Sequence, residues 1–518
     1  MSKNMSAKLL MLQGTGSSVG KSALVAGLCR LYRRRGVKVA PFKAQNMALN
    51  SFITRQGDEI GRAQAVQAEA CGLDAHVDMN PVLIKPNSDT GAQVIVNGKP
   101  VSTMSATVYH NYKEIAWQAV SESLARLREK YELIIIEGAG SPAEINLRDK
   151  DIVNMGLATR VEAPVLLIGD IDKGGVFASL VGTMELLEDD EKELIRGFIV
   201  NKFRGDVTLL EPGLETITAR CGVPFVGVVP WFGREIYLPE EDGVALDVEL
   251  PQDSLKGRAG DDRQTLAIGV IRLPHISNFT DFDPLLHESQ VRLDYLKPQA
   301  ALAGYHLIIL PGSKNTLEDM ACLRDVGLVR RLQAFVEAGG AVVGICGGYQ
   351  MLGQNLVDPE GVESGRGEIE GFGLLPVTTE MAPEKITVQC RAWLTASCFG
   401  SGQAVKGYEI HQGRTTLVGE AESLLQVTQS DGCQYADGFV ADQGRVWGSY
   451  MHGIFDNDDF RTAYLNWLRK HVGRGGQVPD AAAGEISYRQ RKEDGLNALA
   501  DLLSASLDMK MIDELAGL

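Results

Sequence analysis

Two doubly wound α/β domains, each built round a parallel sheet, are what this sequence predicts. Three observations carry that expectation. Short Val- and Ile-rich runs alternate with longer amphipathic stretches through the first half of the chain. A second series of the same kind follows an acidic stretch rich in Gly, Pro and Asp, residues 239–264. The length of 518 residues gives room for about two to four domains.

The first series is KLLMLQG (8–14), VKVAPFK (37–43), LIIIEGAG (133–140), PVLLIGD (164–170), GFIVNKF (197–203) and PFVGVVP (224–230). Each run is short, nearly continuous in apolar residues and closed by a polar or turn-forming residue. That is the pattern of strands covered on both faces by helices. Residues 21–35 and 111–130 supply two of those helices. In such sheets the chemistry collects beyond the carboxyl ends of the strands. The second series is TLAIGVIRL (265–273), YHLIILPGS (305–313), GAVVGICGG (340–348) and RVWGSYMHG (445–453). The expected organisation is a first domain over 1–238, a linker over 239–264, a second domain over 265–475 and a helical extension over 476–518 with its helix near 487–508.

Composition narrows the function before any motif is read. Acidic residues number 67 and basic residues 51, for a net charge of −16, which disfavours a nucleic-acid partner. No apolar run approaches the roughly 18–20 residues that span a bilayer, and the N-terminus lacks a signal-peptide pattern. The eight cysteines, at 29, 71, 221, 322, 346, 390, 398 and 433, are scattered without a C-x-x-C pair. That argues against a disulfide framework and a structural zinc site, and for small buried residues in a reducing compartment. A cytoplasmic enzyme acting on small molecules is expected, with self-association left open.

Residues Gly14-Thr15-Gly16-Ser17-Ser18-Val19-Gly20-Lys21-Ser22 stand directly after a strand and directly before a helix. Glycines there let backbone amides turn inward on an anion, Lys21 reaches the outer phosphates, and the Ser22 hydroxyl can ligate Mg²⁺. The loop is one residue longer than G-x-x-x-x-G-K-[ST], with its first glycine at 14. ATP and Mg²⁺ are the expected cofactors. Glu137, closing the strand in LIIIEGAG, is the expected second metal ligand. Lys43, in PFKAQNMALNS, follows another strand and is a candidate to neutralise a carboxylate or phosphate; Asn201, in FIVNKFRGD, is a candidate to read a base edge. Asp170 and Asp172, in LIGDIDKGGVF, join the metal shell, orient an attacking group or cap a helix.

Cys346 lies in VGICGGYQ, where a strand enters a small-residue turn followed by a helix. This is the logic of a nucleophile elbow: a strained turn exposes the side chain, and the following amides lower the thiol pKa. Gly347 and Gly348 let a substrate carbonyl approach, Gln350 lies one turn on, and Gly312, in LPGSKNT, offers a further backbone donor. His452, in YMHGIF, is the expected base; His411, in GYEIHQG beside Glu409, competes for that place, or shapes the substrate pocket or a contact between domains.

These motifs carry resemblances. The second half resembles the class I glutamine amidotransferases, with G-I-C-G-G-Y-Q as the elbow. That family usually has a glutamate two residues beyond its histidine, where this chain has Ile454, so the group that orients His452 has to be found elsewhere; Glu409 is a candidate. The first half is similar to dethiobiotin synthetase, whose loop has the spacing of Gly14 and Gly20. That resemblance implies phosphate, Mg²⁺, substrate and adenine contacts for Lys21, Ser22, Glu137, Lys43 and Asn201. Together with N-P-V-L-I-K-P (80–86), G-D-I-D-K-G-G-V-F (169–177) and G-Y-E-I-H (407–411), the two halves resemble the cobyric acid synthases over nearly the whole chain. The resemblance implies glutamine hydrolysis by a Cys346 thioester, and ATP-dependent amidation of four peripheral carboxylates (b, d, e and g) of adenosylated cobyrinic acid a,c-diamide. Such a polycarboxylate corrinoid calls for local positive charge, for which Lys43, Lys85, Lys173 and Arg204 are candidates.

Two rival readings remain at this level. The sister reaction amidates the a and c carboxylates of the same ring, against which P-F-K-A-Q-N fits the cobyric branch. A partitioning-type ATPase switch, with a non-catalytic second half, would carry a signature lysine where this chain has Gly16.

Overall fold

Alternate residues of the first strand feed two separate cores, which is the packing signature of a sheet covered on both faces. The computed structural model describes residues 6–86, 91–105, 113–233, 236–239, 265–429, 432–473 and 486–518. Apart from Pro239, the expected linker lies outside the described residues, as does the loop 474–485. The chain divides into two units: one of Met1–Ala48, Asp58–Pro239 and Gln490–Leu518, the other of Leu49–Gly57 and Glu240–Arg489.

The first unit is built on β1 (Lys8–Gly14), β2 (Val39–Phe42), β3 (Leu133–Glu137), β4 (Val165–Asp170), β5 (Ile195–Phe203) and β6 (Phe225–Pro230). Their order across the sheet is β6-β5-β4-β1-β3-β2, and every neighbouring pair is parallel. All six runs named from the sequence are therefore strands of one sheet. Leu9 and Met11 join one buried cluster with Phe42, Ile134 and Leu180. Leu10 and Leu12 join the other, with Leu24, Leu28 and Tyr32 of helix α1 (Lys21–Arg34). A second sheet of four strands in this unit includes Gln45–Met47 and Val82–Pro86.

The second unit contains β7 (Leu266–Ile271), β8 (Val291–Leu296), β9 (Leu307–Leu310), β10 (Ala341–Ile345), β11 (Val377–Leu394), β12 (Ala404–Leu417), β13 (Glu422–Gln429), β14 (Gln434–Ala441) and β15 (Val446–Ser449). Strands β8-β7-β9-β10-β15 pair in parallel. From β15 the sheet continues antiparallel through β14, β13 and β11, with β12 on β11. The sheet is thus mixed rather than wholly parallel. The sequence reading missed the long ribbon from Val377 to Ala441 because its residues alternate between buried and exposed, leaving no continuous apolar run.

Two boundaries also differ from expectation. The final helix exists, over Tyr488–Ser506, but most of it belongs to the first unit instead of standing as an extension. Leu496, Leu499 and Leu503 complete the α1 side of the first core, and a Cβ on Gly27 would stand 2.4 Å from Leu503 Cδ1. Arg30 pairs with Glu493 at 2.8 Å, and Tyr32 donates to Asp513 at 2.9 Å. Conversely, Leu49–Gly57 belongs to the second unit although its flanks on both sides belong to the first. Leu503 is fully buried. Leu503→Ala should therefore lower the stability of the first unit by about 2–5 kcal/mol, read as a lower urea midpoint, while an exposed-site control such as Leu209→Ala leaves it unchanged.

Candidate active sites

The nucleotide-binding centre begins where β1 ends. Thr15 N donates to Ile168 O at 2.9 Å, tying the loop to β4. Ser18 and Gly20 take left-handed backbone angles, φ 58° and 99°, which turn the loop back to start α1 at Lys21. Gly20 has no room for a side chain, because a Cβ would lie 2.2 Å from Asn201 Nδ2. Asn201, at the end of β5, donates to Val19 O at 2.8 Å and so braces the loop. Lys21 Nζ lies over the loop, donating to Gly16 O and Gly140 O at 2.9 Å each. Ser17 and Ser18 are exposed at its tip, and Val19 is buried beneath.

Glu137 is the hub of this centre. It is 1 % exposed, yet three donors converge on it. Ser22 Oγ and Lys43 Nζ both donate to Oε1 at 2.8 Å, and Gln67 Nε2 donates to Oε2 at 2.5 Å. Burying a carboxylate is costly unless it is paired and hydrogen-bonded, and here it is both. Gln67, on helix α2 (Arg62–Cys71), went unnoticed in the sequence because no motif marks it. The donor set fits a hard divalent cation: a hydroxyl and a carboxylate oxygen lie side by side, with room in a Mg²⁺ shell left for phosphate and water. Among the described residues no group of three or more His, Cys, Asp or Glu could hold a metal, so a cation would need phosphate oxygens as well.

Three other candidates sit differently from expectation. Lys85 is 3 % exposed and bonded to Glu59 at 2.9 Å, so it is half of a buried ion pair and not a spare cation for a polycarboxylate. Asp170 accepts from Lys202 at 2.8 Å and from the Asp172 amide at 2.9 Å, which braces the turn after β4. Arg204 pairs with Asp172 at 3.0 Å and lies 3.9 Å over the Trp231 ring. Lys173 is exposed.

In the second unit Cys346 follows β10 with φ 53° and ψ −111°, a strained conformation for a residue with a side chain. The strain is held from both sides. Its amide donates to Ser449 O at 2.9 Å, and the next turn is wedged against β9, where a Cβ on Gly348 would stand 1.9 Å from Leu310 O. The elbow read in the sequence is present. The thiol contacts Ile410 O at 3.5 Å. Gly347 packs so close to Ser313 that a Cβ would lie 2.8 Å from its amide nitrogen. Gln350 is buried, accepting from Thr316 Oγ1 at 3.2 Å and donating to Tyr450 OH at 3.1 Å. A Cβ on Gly312 would stand 3.5 Å from His452 Cε1, which places that glycine beside the base.

His452 is 1 % exposed. Its Nδ1 bonds to Asp281 Oδ2 at 2.6 Å, and Gly453 N donates to the other oxygen, Oδ1, at 3.2 Å. Asp281 is therefore the orienting carboxylate that Ile454 could not supply, and Glu409 is not. Glu409 instead accepts from Tyr435 OH at 2.7 Å and faces His411 at 3.4 Å. His411 lies within β12, stacked on Tyr450 with ring centroids 3.6 Å apart, and Nδ1 bonds to Gly413 O at 2.8 Å. It shapes the wall behind Gln350. Asp281 escaped the sequence reading because it precedes His452 by 171 residues and is joined to it only by the fold.

Burial pushes the His452 pKa down, but the Asp281 carboxylate and the Cys346 thiol group offset this and lift it to about 10. Nε2 makes no hydrogen bond among the described residues. The arrangement sets a thiol, an imidazole that holds its proton at neutral pH and a carboxylate in series.

Comparison with known proteins covers both halves of the chain. Residues 10–241 match the model of the CobQ/CobB/MinD/ParA nucleotide binding domain, and residues 267–460 that of the CobB/CobQ-like glutamine amidotransferase domain. A cobyric acid synthase of Syntrophobacter fumaroxidans is 47% identical over 520 residues, covering 99% of this chain and 99% of its own. One from Desulfitobacterium hafniense is 48% identical over 526 residues, covering 100% and 99%. The chain belongs to the cobyric acid synthase family. Membership identifies it as a glutamine-dependent amide ligase of cobalamin biosynthesis that uses ATP. Among the described residues no helix is long and apolar enough to cross a membrane.

The raised pKa of His452 has a direct chemical reading. A histidine with a pKa near 10 stays charged through neutral pH and loses that charge as pH rises through 10. Asp281→Asn removes the main group holding the charge. In that variant the His452 imidazole, followed by NMR titration, should lose its proton at a lower pH than in the wild type, each unit of the fall being about 1.4 kcal/mol of lost charge stabilisation. A titration that coincides with the wild type would show that Asp281 does not hold the charge on His452.

Proposed function

We propose that the chain makes cobyric acid by converting the b, d, e and g carboxylates of an adenosylated cobyrinic acid a,c-diamide to amides, one ATP and one glutamine for each. The observation that carries this reading is the coexistence in one chain of a His452–Asp281 pair acting with the Cys346 thiol and a phosphate loop with a carboxylate hub at Glu137. Glutamine is the nitrogen source, ATP the activating co-substrate, and the corrinoid polycarboxylate the acceptor.

At the thiol centre, Cys346 Sγ attacks the glutamine amide carbon while backbone amides of the elbow, with that of Gly347 foremost, face the oxygen that becomes negative. The charged His452 gives its Nε2 proton to the leaving ammonia, and the neutral ring then takes a proton from the water that opens the thioester. Asp281 holds Nδ1–H throughout, so Nε2 is the nitrogen that exchanges protons. Gln350 and His411 form the wall against which the glutamine backbone would rest.

At the nucleotide centre the loop amides of residues 14–20 and Lys21 receive the phosphates. Ser22 and Glu137 would hold Mg²⁺, which when bound offsets the charge on the phosphate oxygens. Lys43 balances the buried Glu137 carboxylate at Oε1, beside the space the phosphates would occupy. Transfer of the γ-phosphoryl group to a corrinoid carboxylate makes an acyl phosphate, whose oxygen leaves as phosphate when ammonia attacks. Activation is needed because a carboxylate is a poor electrophile with a poor leaving group.

The test is mass spectrometry of the corrinoid product after incubation with ATP, Mg²⁺ and glutamine. Four successive mass losses of one unit each, as OH is replaced by NH₂, are expected from the a,c-diamide, and none from cobyrinic acid at its a and c positions. Cys346→Ser should abolish the glutamine-driven reaction and keep the ammonium-driven one. Glu137→Gln should abolish both. A product amidated at a and c would select the sister reaction instead.

A further inference from the structure

Nine residues of the first half of the sequence, Leu49–Gly57, belong to the second unit. They leave the nucleotide-binding unit shortly after Lys43 and return to it at Asp58. Within the second unit they touch the immediate neighbours of the thiol and the imidazole. Ser51 N donates to Asn278 Oδ1 at 2.9 Å, and Tyr408 OH donates to Ser51 O at 3.2 Å. Asn278 Nδ2 lies 3.5 Å from His452 Nδ1. The Tyr408 ring stacks on the His452 ring, 5.2 Å between centroids at 18°, and the two backbones bond in both directions, at 2.9 and 3.2 Å. Ile53 packs in one buried cluster with Tyr408 and Ile410, whose carbonyl faces the Cys346 thiol. Phe52 meets the Tyr408 ring edge-on at 5.3 Å, and Thr387 Oγ1 donates to Gly57 O at 2.7 Å, fixing the far end.

We propose that Leu49–Gly57 is a positioning strap for the thiol centre, acting through Ser51 on Asn278 and Tyr408 to fix His452 against Asp281 and Cys346. Asn278 is a positioning residue and not a rival proton acceptor. At 2.6 Å the Asp281 carboxylate claims the Nδ1 proton, and the Asn278 amide at 3.5 Å is a wall that sets the ring plane. The Asn278 backbone is itself held at φ 52°, so the amide reaches the histidine from a strained turn whose side-chain oxygen the strap secures. The proposal rests on the reading of this centre as a glutaminase. It goes beyond that reading by assigning a part of the centre to a segment outside the matched amidotransferase region, residues 267–460.

The test uses the full chain with ATP, Mg²⁺ and corrinoid, following glutamine hydrolysis and ammonium-driven amidation separately. Ser51→Pro deletes the donated N–H, Asn278→Ala deletes its acceptor, and Tyr408→Phe keeps the ring stack while deleting the hydroxyl bond to Ser51 O. Ser51→Pro and Asn278→Ala should lower kcat for glutamine hydrolysis by about 10- to 100-fold, the effect of a misplacement of about 1 Å. KM for glutamine should stay within about twofold, and the alkaline limb of the pH profile should move down from pH 10 as the Asp281 bond slackens. Tyr408→Phe should fall between these and the wild type. Ammonium-driven amidation should be unchanged in all three, which a general loss of folding would not permit. Wild-type kcat and pH limb in all three variants would overturn the strap and leave the Cys346–His452 assignment standing. Equal losses in both activities for Tyr408→Phe, the variant that keeps its packing, would also overturn it, whereas a wild type that hydrolyses no glutamine would remove the reading beneath it.

Discussion

A carboxylate withdrawn from water has to be surrounded by donors, and each centre of this molecule is arranged round one. In the second unit Asp281 is 5 % exposed and meets the His452 ring and the Gly453 amide. In the first, Glu137 is 1 % exposed and meets Ser22, Lys43 and Gln67. Neither arrangement is a strong source of net stability, since desolvation offsets much of the attraction. What they supply is orientation. Removing the carboxylate frees the histidine ring in one case and three donors in the other.

The two centres use that constraint for opposite ends. At Asp281 the negative charge raises the affinity of the His452 imidazole for its proton. The chemistry is proton management at a single bond. At Glu137 the negative charge collects positive groups in the space after β1 and β3, where phosphate is expected to arrive. Lys21 reaches over the same space, donating to the Gly16 and Gly140 carbonyls.

Backbone geometry does the rest. The elbow at Cys346 holds a side-chain-bearing residue at φ 53° because β15 accepts its amide and β9 crowds the following glycines. The loop at 14–20 reaches the start of α1 because Asn201 braces it from β5. In both units the parallel strands place these features at their carboxyl ends, so that one sheet edge gathers groups from distant parts of the chain.

Much of this was legible in the residues. The six strands of the first sheet, the phosphate loop and the elbow are local patterns, and a local pattern can be read without coordinates. Lys85 misled because a lysine in a motif looks available until Glu59 is seen beside it. Glu409 misled because its nearness to His411 in sequence says nothing of which histidine a buried carboxylate meets. Asp281, Gln67, the return of Leu496–Leu503 to the first core and the passage of Leu49–Gly57 into the second unit rest on contacts between residues far apart in the chain. The sequence by itself determined which reactive groups the protein owns and which strands and turns present them. Tertiary structure alone decided which carboxylate orients which base, because that depends on distances of a few ångströms closed by long loops, and no spacing rule along a chain encodes them.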